Sequence, residues 1–290
     1  VGVIDCVWEA GAALGEGPHW SARERALYWV DIERPRVLRL CTATGERAAF
    51  PVPEEIGCLV PRRGGGFVAG LRSGLAFVDL TEDGLEVRPI LAPEPDLPGN
   101  RLNDGKCDAE GRLWVGTMDD ACERPTGALY RLDPDLRLSR MDGGYAVTNG
   151  PAFSPDGTVL YHNDSMARTI LAFDCDPSTG EIANRRVFAR LADGFPDGMT
   201  VDAEGGLWCA VWGGARVLRL LPDGSIDRVL ELPVRQVTSC AFGGDDLRTL
   251  YVTTAAIRLS PDELRDQPLA GGLFAWRAEV PGLPAAEFAG

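Results

Sequence analysis

Gly111-Arg112-Leu113-Trp114-Val115-Gly116-Thr117 is a β-branched and aromatic run behind a glycine turn, and the chain repeats that pattern five more times. The counterparts are Ala26-Leu27-Tyr28-Trp29-Val30-Asp31, Gly66-Phe67-Val68-Ala69-Gly70-Leu71, Thr158-Val159-Leu160-Tyr161-His162-Asn163-Asp164, Gly206-Leu207-Trp208-Cys209-Ala210-Val211 and Thr249-Leu250-Tyr251-Val252-Thr253-Thr254. Their anchors Tyr28, Val68, Trp114, Tyr161, Trp208 and Tyr251 fall roughly 40 to 47 residues apart, the length of one four-stranded propeller blade. A blade alone cannot cover its own faces, so six copies predict one all-β domain over residues 1–290, a six-bladed β-propeller of antiparallel blades.

A second strand-like run follows each anchor, as in Arg36–Leu40, Gly127–Leu132 and Arg216–Leu220. It ends near a turn signal such as Thr44-Gly45-Glu46, Asp83-Gly84 or Pro222-Asp223-Gly224. More polar outer strands are then expected near Arg47–Pro51, Glu86–Leu91, Arg137–Met141, Arg185–Phe188 and Ile226–Leu230. The strand Ile4–Trp8 precedes the first full repeat, while the sixth ends near Trp276. The N-terminal strand is therefore expected to complete the sixth blade and close the ring without a long exposed edge. Pro93–Asn100 and Asp119–Thr126 read as loops at one end of the propeller. Asp262–Arg265 could form one helical turn.

Composition narrows the function classes. Hydrophobic content of 45% and charged content of 25% are those of an ordinary globular protein. A net charge of −14 with no Lys/Arg cluster repels a phosphate backbone, so nucleic acid is not an expected partner. No stretch approaches the ~18 apolar residues of a membrane span, and no signal-peptide pattern opens the chain. The eight cysteines include no Cys-x-x-Cys pair, and several sit in apolar strand runs. Reduced, structural thiols and a cytoplasmic location are expected from this, with a monomer or weak dimer as the working unit.

The innermost strand of each blade precedes its anchor and lines the central channel. Its first polar position is Glu16, Asn103, Asn149 and Asp197 in four blades, at nearly the same phase of the repeat. Ile56 and Thr238 or Ser239 stand in the other two. Equal phase around a ring means convergence at one mouth of the channel. Carboxylates and amide oxygens facing one point repel unless a cation lies between them, and an all-oxygen set suits Ca²⁺, Mg²⁺ or Mn²⁺. The plainer alternative is that these groups only satisfy channel water. A His-rich zinc site is excluded because His19 and His162 lie in different blades. No Gly-x-Ser-x-Gly elbow is present, and Gly64-Gly65-Gly66 lacks a P-loop Lys-Ser/Thr. Asp133-Pro134-Asp135 and Asp174-Cys175-Asp176 are hairpin turns rather than calcium loops.

Five segments carry a family resemblance: Gly15-Glu16-Gly17-Pro18, Arg101-Leu102-Asn103-Asp104-Gly105-Lys106, Gly116-Thr117-Met118, Thr148-Asn149-Gly150-Pro151 and Pro196-Asp197-Gly198-Met199. In their order and over essentially the whole chain, they resemble the senescence marker protein/regucalcin and gluconolactonase family of six-bladed propellers. The resemblance implies one divalent metal (Ca, Zn, Mn, Mg or Fe) held by Glu16, Asn149 and Asp197, with Asn103 close by. It also implies Arg101 and Asn103 as substrate-binding residues. Some members add an acidic residue from the loop after Gly-Thr-Met; here Ala121 stands at that point, with Asp119 and Asp120 just before it. The activity implied is hydrolysis of a sugar lactone to its aldonic acid, with Asp197 as the candidate general base. The alternatives are a non-enzymatic calcium-binding regulator and an interaction scaffold.

Overall fold

Short runs of branched and aromatic residues between turn-forming residues give strands of four to nine residues, and the computed structural model describes residues 4–81 and 84–290. Asp83 of the expected Asp83-Gly84 turn lies outside the described residues. After β1 (Asp5–Trp8), blade one comprises β2 (Gly15–Ser21), β3 (Ala26–Asp31), β4 (Arg36–Cys41) and β5 (Arg47–Pro51). Blade two holds β6 (Ile56–Pro61), β7 (Phe67–Leu71), β8 (Gly74–Thr81) and β9 (Gly84–Leu91). Blade three holds β10 (Asn100–Cys107), β11 (Leu113–Asp119), β12 (Gly127–Leu132) and β13 (Leu138–Tyr145). Blade four is β14 (Thr148–Phe153), β15 (Val159–Asp164), β16 (Thr169–Cys175) and β17 (Ile182–Arg190). Blade five is β18 (Phe195–Val201), β19 (Leu207–Trp212), β20 (Arg216–Leu220) and β21 (Ile226–Glu231).

Blade six takes β22 (Val237–Gly243), β23 (Thr249–Thr254) and β24 (Leu273–Arg277) from the end of the chain and β1 from its beginning. Asp5 and Cys6 pair with Ala275 and Phe274, so the expected closure by the N-terminal strand is present. Between β23 and β24 lies α1 (Pro261–Asp266), one short helix started by a Ser260–Glu263 capping box.

Packing lies between blades rather than at one centre. Among the described residues there are six buried apolar clusters, one at each blade–blade interface. The repeat anchors span these interfaces: Tyr28 meets Phe67, Trp114 meets Phe153 and Trp208 meets Phe242, with ring centroids 5.0, 5.8 and 5.9 Å apart. Truncating one, as in Trp208→Ala, should cost about 3–5 kcal/mol. Two anchors are also held by their indoles: Asp108 and Asp202 accept from Trp114 and Trp208 Nε1 at 2.9 and 2.8 Å. All eight cysteines are unpaired, and six of them are buried. Among the described residues, no helix is long and apolar enough to cross a membrane.

The segment after β24 does more than end the chain. Gly282 bridges to Asp202 in blade five, while Phe288 N donates to Pro61 O in blade two and Ala289 N to Gly111 O in blade three. The tail thus runs across one mouth of the channel, fixed at its far side by the fully buried Phe288.

Candidate metal and substrate site

Strand pairing sharpens the phase of the site. Tyr28, Val68, Trp114, Tyr161, Trp208 and Tyr251 pair with His19, Val60, Lys106, Ala152, Thr200 and Ala241 on the inner strands. Three residues earlier stand Glu16, Gly57, Asn103, Asn149, Asp197 and Thr238. In every blade the inner strand breaks register at this point. Such a bulge frees a residue from the ladder and re-aims its side chain. The blade-two position is therefore Gly57, not the expected Ile56, which is fully buried in the cluster between blades one and two. A Cβ at Gly57 would lie 2.5 Å from Leu102 O and 2.7 Å from Asn103 O, so blade two yields its space to the backbone of blade three. In blade six the in-phase residue is Thr238, whose hydroxyl is spent on Gly15 O and Thr253 Oγ1.

Glu16, Asn103, Asn149 and Asp197 are all buried, between 5% and 7% exposed. Hydrogen bonds join three of their blades. Arg101 Nη1 donates to Asn103 Oδ1 (2.7 Å), and Asn103 Nδ2 donates to Asn149 Oδ1 (2.9 Å) and Thr148 O (2.8 Å). Asn149 Nδ2 donates to Ser165 Oγ (3.1 Å), whose proton goes to Pro196 O (2.7 Å). Asn163 Nδ2 donates to Asp197 O at 2.6 Å. Asp104 locks the bulges of blades three and four, accepting from Gly105 N and Gly150 N at 2.8 and 2.9 Å.

Against this bonded frame, Asp197 Oδ1 is buried without a partner. Among the described residues, Glu16 Oε2 accepts only from its neighbour Gly17 N, at 3.2 Å. Burial, and then the nearby Asp104 carboxylate, hold the Asp197 carboxyl well above its usual range. Burial followed by the charges of Asp197 and Asp104 does the same to Glu16. Such a pair is short of positive charge. Lys106, whose Nζ donates to Met199 O at 2.5 Å, offsets Asp104 through the channel wall. That leaves Glu16 and Asp197 as two carboxyls offset only in part by Arg101, beside an amide oxygen, a donor set that fits a hard divalent cation. Among the described residues, no group of three His, Cys, Asp or Glu side chains is placed to hold a metal; the fitting set includes Asn149.

The two expected acids of the blade-three loop separate. Asp119 is 1% exposed and saturated: its oxygens accept from Arg124 Nε and Nη2 and from the backbone N–H groups of Glu123 and Arg124. It fastens its own loop. Asp120 instead lies 3.3 Å from Arg101 Nε and also pairs with Arg72, which pairs in turn with Glu55. The loop reaches across the mouth, where Cys122 Sγ meets Arg258 Nη2 of the opposite blade six at 3.9 Å. The Pro93–Asn100 loop is pinned by Glu94, which accepts from Asn100, Thr117 and Tyr130.

Neither histidine enters this site. His162 is fully buried against Tyr145 with both ring nitrogens unpartnered, and burial lowers it to about 3. His19, also lowered to about 3 by burial, lies three residues further along the channel. Sequence reasoning missed Asn163 and Ser165, which hold the backbone beside Asp197. Their signal was the polar His162-Asn163-Asp164 end of an otherwise apolar strand run.

Residues 14–256 match the SMP-30/gluconolactonase/LRE-like region. The chain is 41% identical to a 6-deoxy-6-sulfogluconolactonase of Pseudomonas putida, over 99% of both chains. It is 45% identical to an L-arabinolactonase of Azospirillum brasilense, over 96% of this chain and 92% of that one. A calcium-binding protein, regucalcin, from Agrobacterium tumefaciens superposes with a TM-score of 0.93 at 30% identity, covering 98% of this chain and 96% of the other. The chain belongs to the SMP-30/gluconolactonase/LRE-like family.

Proposed function

We propose that this protein hydrolyses a sugar lactone to the corresponding aldonic acid, with a divalent metal held by Glu16, Asn149 and Asp197. The observation that carries this is the unpartnered, buried Oδ1 of Asp197 beside the hydrogen-bonded frame of Arg101, Asn103 and Asn149. Full-length relatives named as lactonases support the reaction class. Ca²⁺, Mg²⁺, Mn²⁺, Zn²⁺ or Fe²⁺ bound there would supply Lewis acidity toward the lactone carbonyl.

The chain's own groups do the rest. Arg101 is the cation beside the carboxyl pair, and its planar fork is held by Asn103, Leu102 O and Asp120. It orients ring hydroxyls and the carbonyl oxygen. Asn103 fixes the Arg101 fork and contacts the sugar. Asp197, kept ionised once a bound cation meets its charge, takes the proton of the attacking water as general base. Asp120 contributes to substrate placement through Arg101, and Asp119 through the shape of the loop. Burial of the carboxyl ring excludes bulk water from the reacting centre.

The likeness to a calcium-binding regucalcin supports a second reading, a calcium-binding regulator without turnover. Ion binding alone requires neither Arg101 nor Asn103 beside the carboxyls. A proton-release assay separates the two. EDTA-stripped protein is assayed on neutral and anionic aldonolactones, with each of the five metals restored in turn. Metal-dependent acceleration on at least one lactone is expected; no rate above spontaneous hydrolysis with any pair would leave the regulatory reading.

A further inference from the structure

The anchor-paired ring faces a second cavity. His19, Lys106, Ala152, Thr200 and Ala241 line a space of about 490 Å³ at the channel end away from Arg101. Its walls include Trp20, Phe153 and Phe242, and the tail segment 283–286 lines it where that tail crosses the mouth. Its volume falls in the ~300–1,000 Å³ range of small-molecule sites.

The inner end of this cavity carries unspent polar groups. Lys106 Nζ uses one of its three donors, on Met199 O, and among the described residues no carboxylate comes within salt-bridge distance of it. The His19 ring and the Thr200 hydroxyl make no hydrogen bond within the protein among the described residues, although His19 is only 8% exposed. Buried His19 without a partner, beside half-buried Lys106 and Thr200 with donors to spare, points to a ligand or water. The acids near the outer rim are already engaged: Asp108 and Glu110 pair with Arg112, and Asp156 accepts from Ser154 and Thr158. A ligand's negative charge therefore belongs at the deep end, where it shares Lys106 with the buried Asp104, and its apolar body against the aromatic and proline walls.

We propose that this far cavity binds a small aromatic carboxylic acid, its carboxylate on Lys106 with His19 and Thr200 completing the hydrogen bonds. Burial, and then the charge of Lys106, lowers His19 to about 3, so an arriving carboxylate meets a neutral imidazole beside Lys106. The two sites are separated by three residues of each inner strand, about 10 Å. Occupancy of one does not require the other.

The test is fluorine NMR of 4-fluorobenzoate on the calcium-loaded protein. Binding is expected with a dissociation constant below about 1 mM, and at least about tenfold weaker for 4-fluorobenzamide. Lys106→Met should weaken benzoate at least tenfold. Because that change leaves Asp104 without its cation, Ala285→Trp, at an exposed position lining the mouth, provides a second route to blocking the cavity. Neither removal of the metal by EDTA nor saturation with gluconate should displace benzoate. The proposal is overturned by no binding at 5 mM, by equal binding of the amide, by binding unaffected in Ala285→Trp, or by displacement with EDTA or gluconate.

Discussion

Asp197 on the inner strand of blade five and Asp119 at the edge of blade three are both buried aspartates, at 5% and 1% exposure, with opposite surroundings. Asp119 accepts from two backbone amides and an arginine, and these donors hold its carboxyl below the usual range. Asp197 has a backbone carbonyl secured by Asn163 but a side-chain oxygen with no donor, and burial drives its carboxyl upward. The contrast distinguishes a carboxylate that builds a loop from one reserved for a ligand. Identity and burial are shared; hydrogen-bond saturation differs.

Exchanging the two residues' fates is the sharpest way to break that contrast. Asp197→Ala should lower metal-dependent kcat by about 10³-fold or more, since it removes both a metal donor and the general base. The melting temperature of the metal-free protein should change little, because Asp197 Oδ1 has no partner to lose and the carboxyl's contact is with the adjacent Gly198 N–H. Asp119→Ala should do the reverse, leaving kcat within a few-fold while the 119–124 loop becomes more sensitive to proteolysis. Equal kinetic losses from the two would remove the distinction.

Acidity sharpens it further. Carboxyls raised in the fold ionise later than those of the unfolded chain, whose pKa values lie near 4. As pH rises above that value, the unfolded chain binds fewer protons than the fold, and metal-free stability contributed by Glu16 and Asp197 falls until both have ionised. A bound cation displaces those protons. Calcium should therefore raise the melting temperature more at pH 8 than at pH 5, as measured by thermal melts with and without EDTA. An equal increment at both pH values would contradict the assignment.

Smaller effects are expected from the frame. Arg101→Lys keeps the charge but loses the fork that meets Asn103, Leu102 O and Asp120, and should lower kcat/KM by about 10–100-fold with metal affinity unchanged. Asn163→Ala leaves Asp197 O without its side-chain donor and should weaken metal binding by about tenfold, read by calorimetric titration. A loss of turnover without any change in metal affinity would make Asn163 a residue of another kind.

The architecture was legible because a propeller writes its period into the chain: the anchors, the inner strands and the closure by residues 5–8 all follow from one repeat. The same period carried Glu16, Asn103, Asn149 and Asp197 to one level of the channel. It placed blade two's residue one position early, at Ile56, because a bulge adds a residue to a strand without leaving a sequence mark beyond the glycine that follows. The roles of Asp119 and Asp120 were illegible for another reason. Which of two adjacent aspartates turns inward depends on the course of the loop and on Arg124 and Arg72, partners that no periodicity identifies. The tail crossing the far mouth has no repeat at all, and its contacts, among them those with Pro61, Gly111 and Asp202, give its path.

The central claim is that Glu16, Asn149 and Asp197 hold the ion on which lactone hydrolysis depends. Titrating EDTA-stripped protein with metal, while following calorimetric binding and proton release from a lactone on the same samples, tests it most directly. One ion per chain is expected, with turnover saturating at the same equivalence and both signals absent from Asp197→Ala. Full turnover by the stripped protein, or undiminished metal binding and turnover in Asp197→Ala, would contradict it.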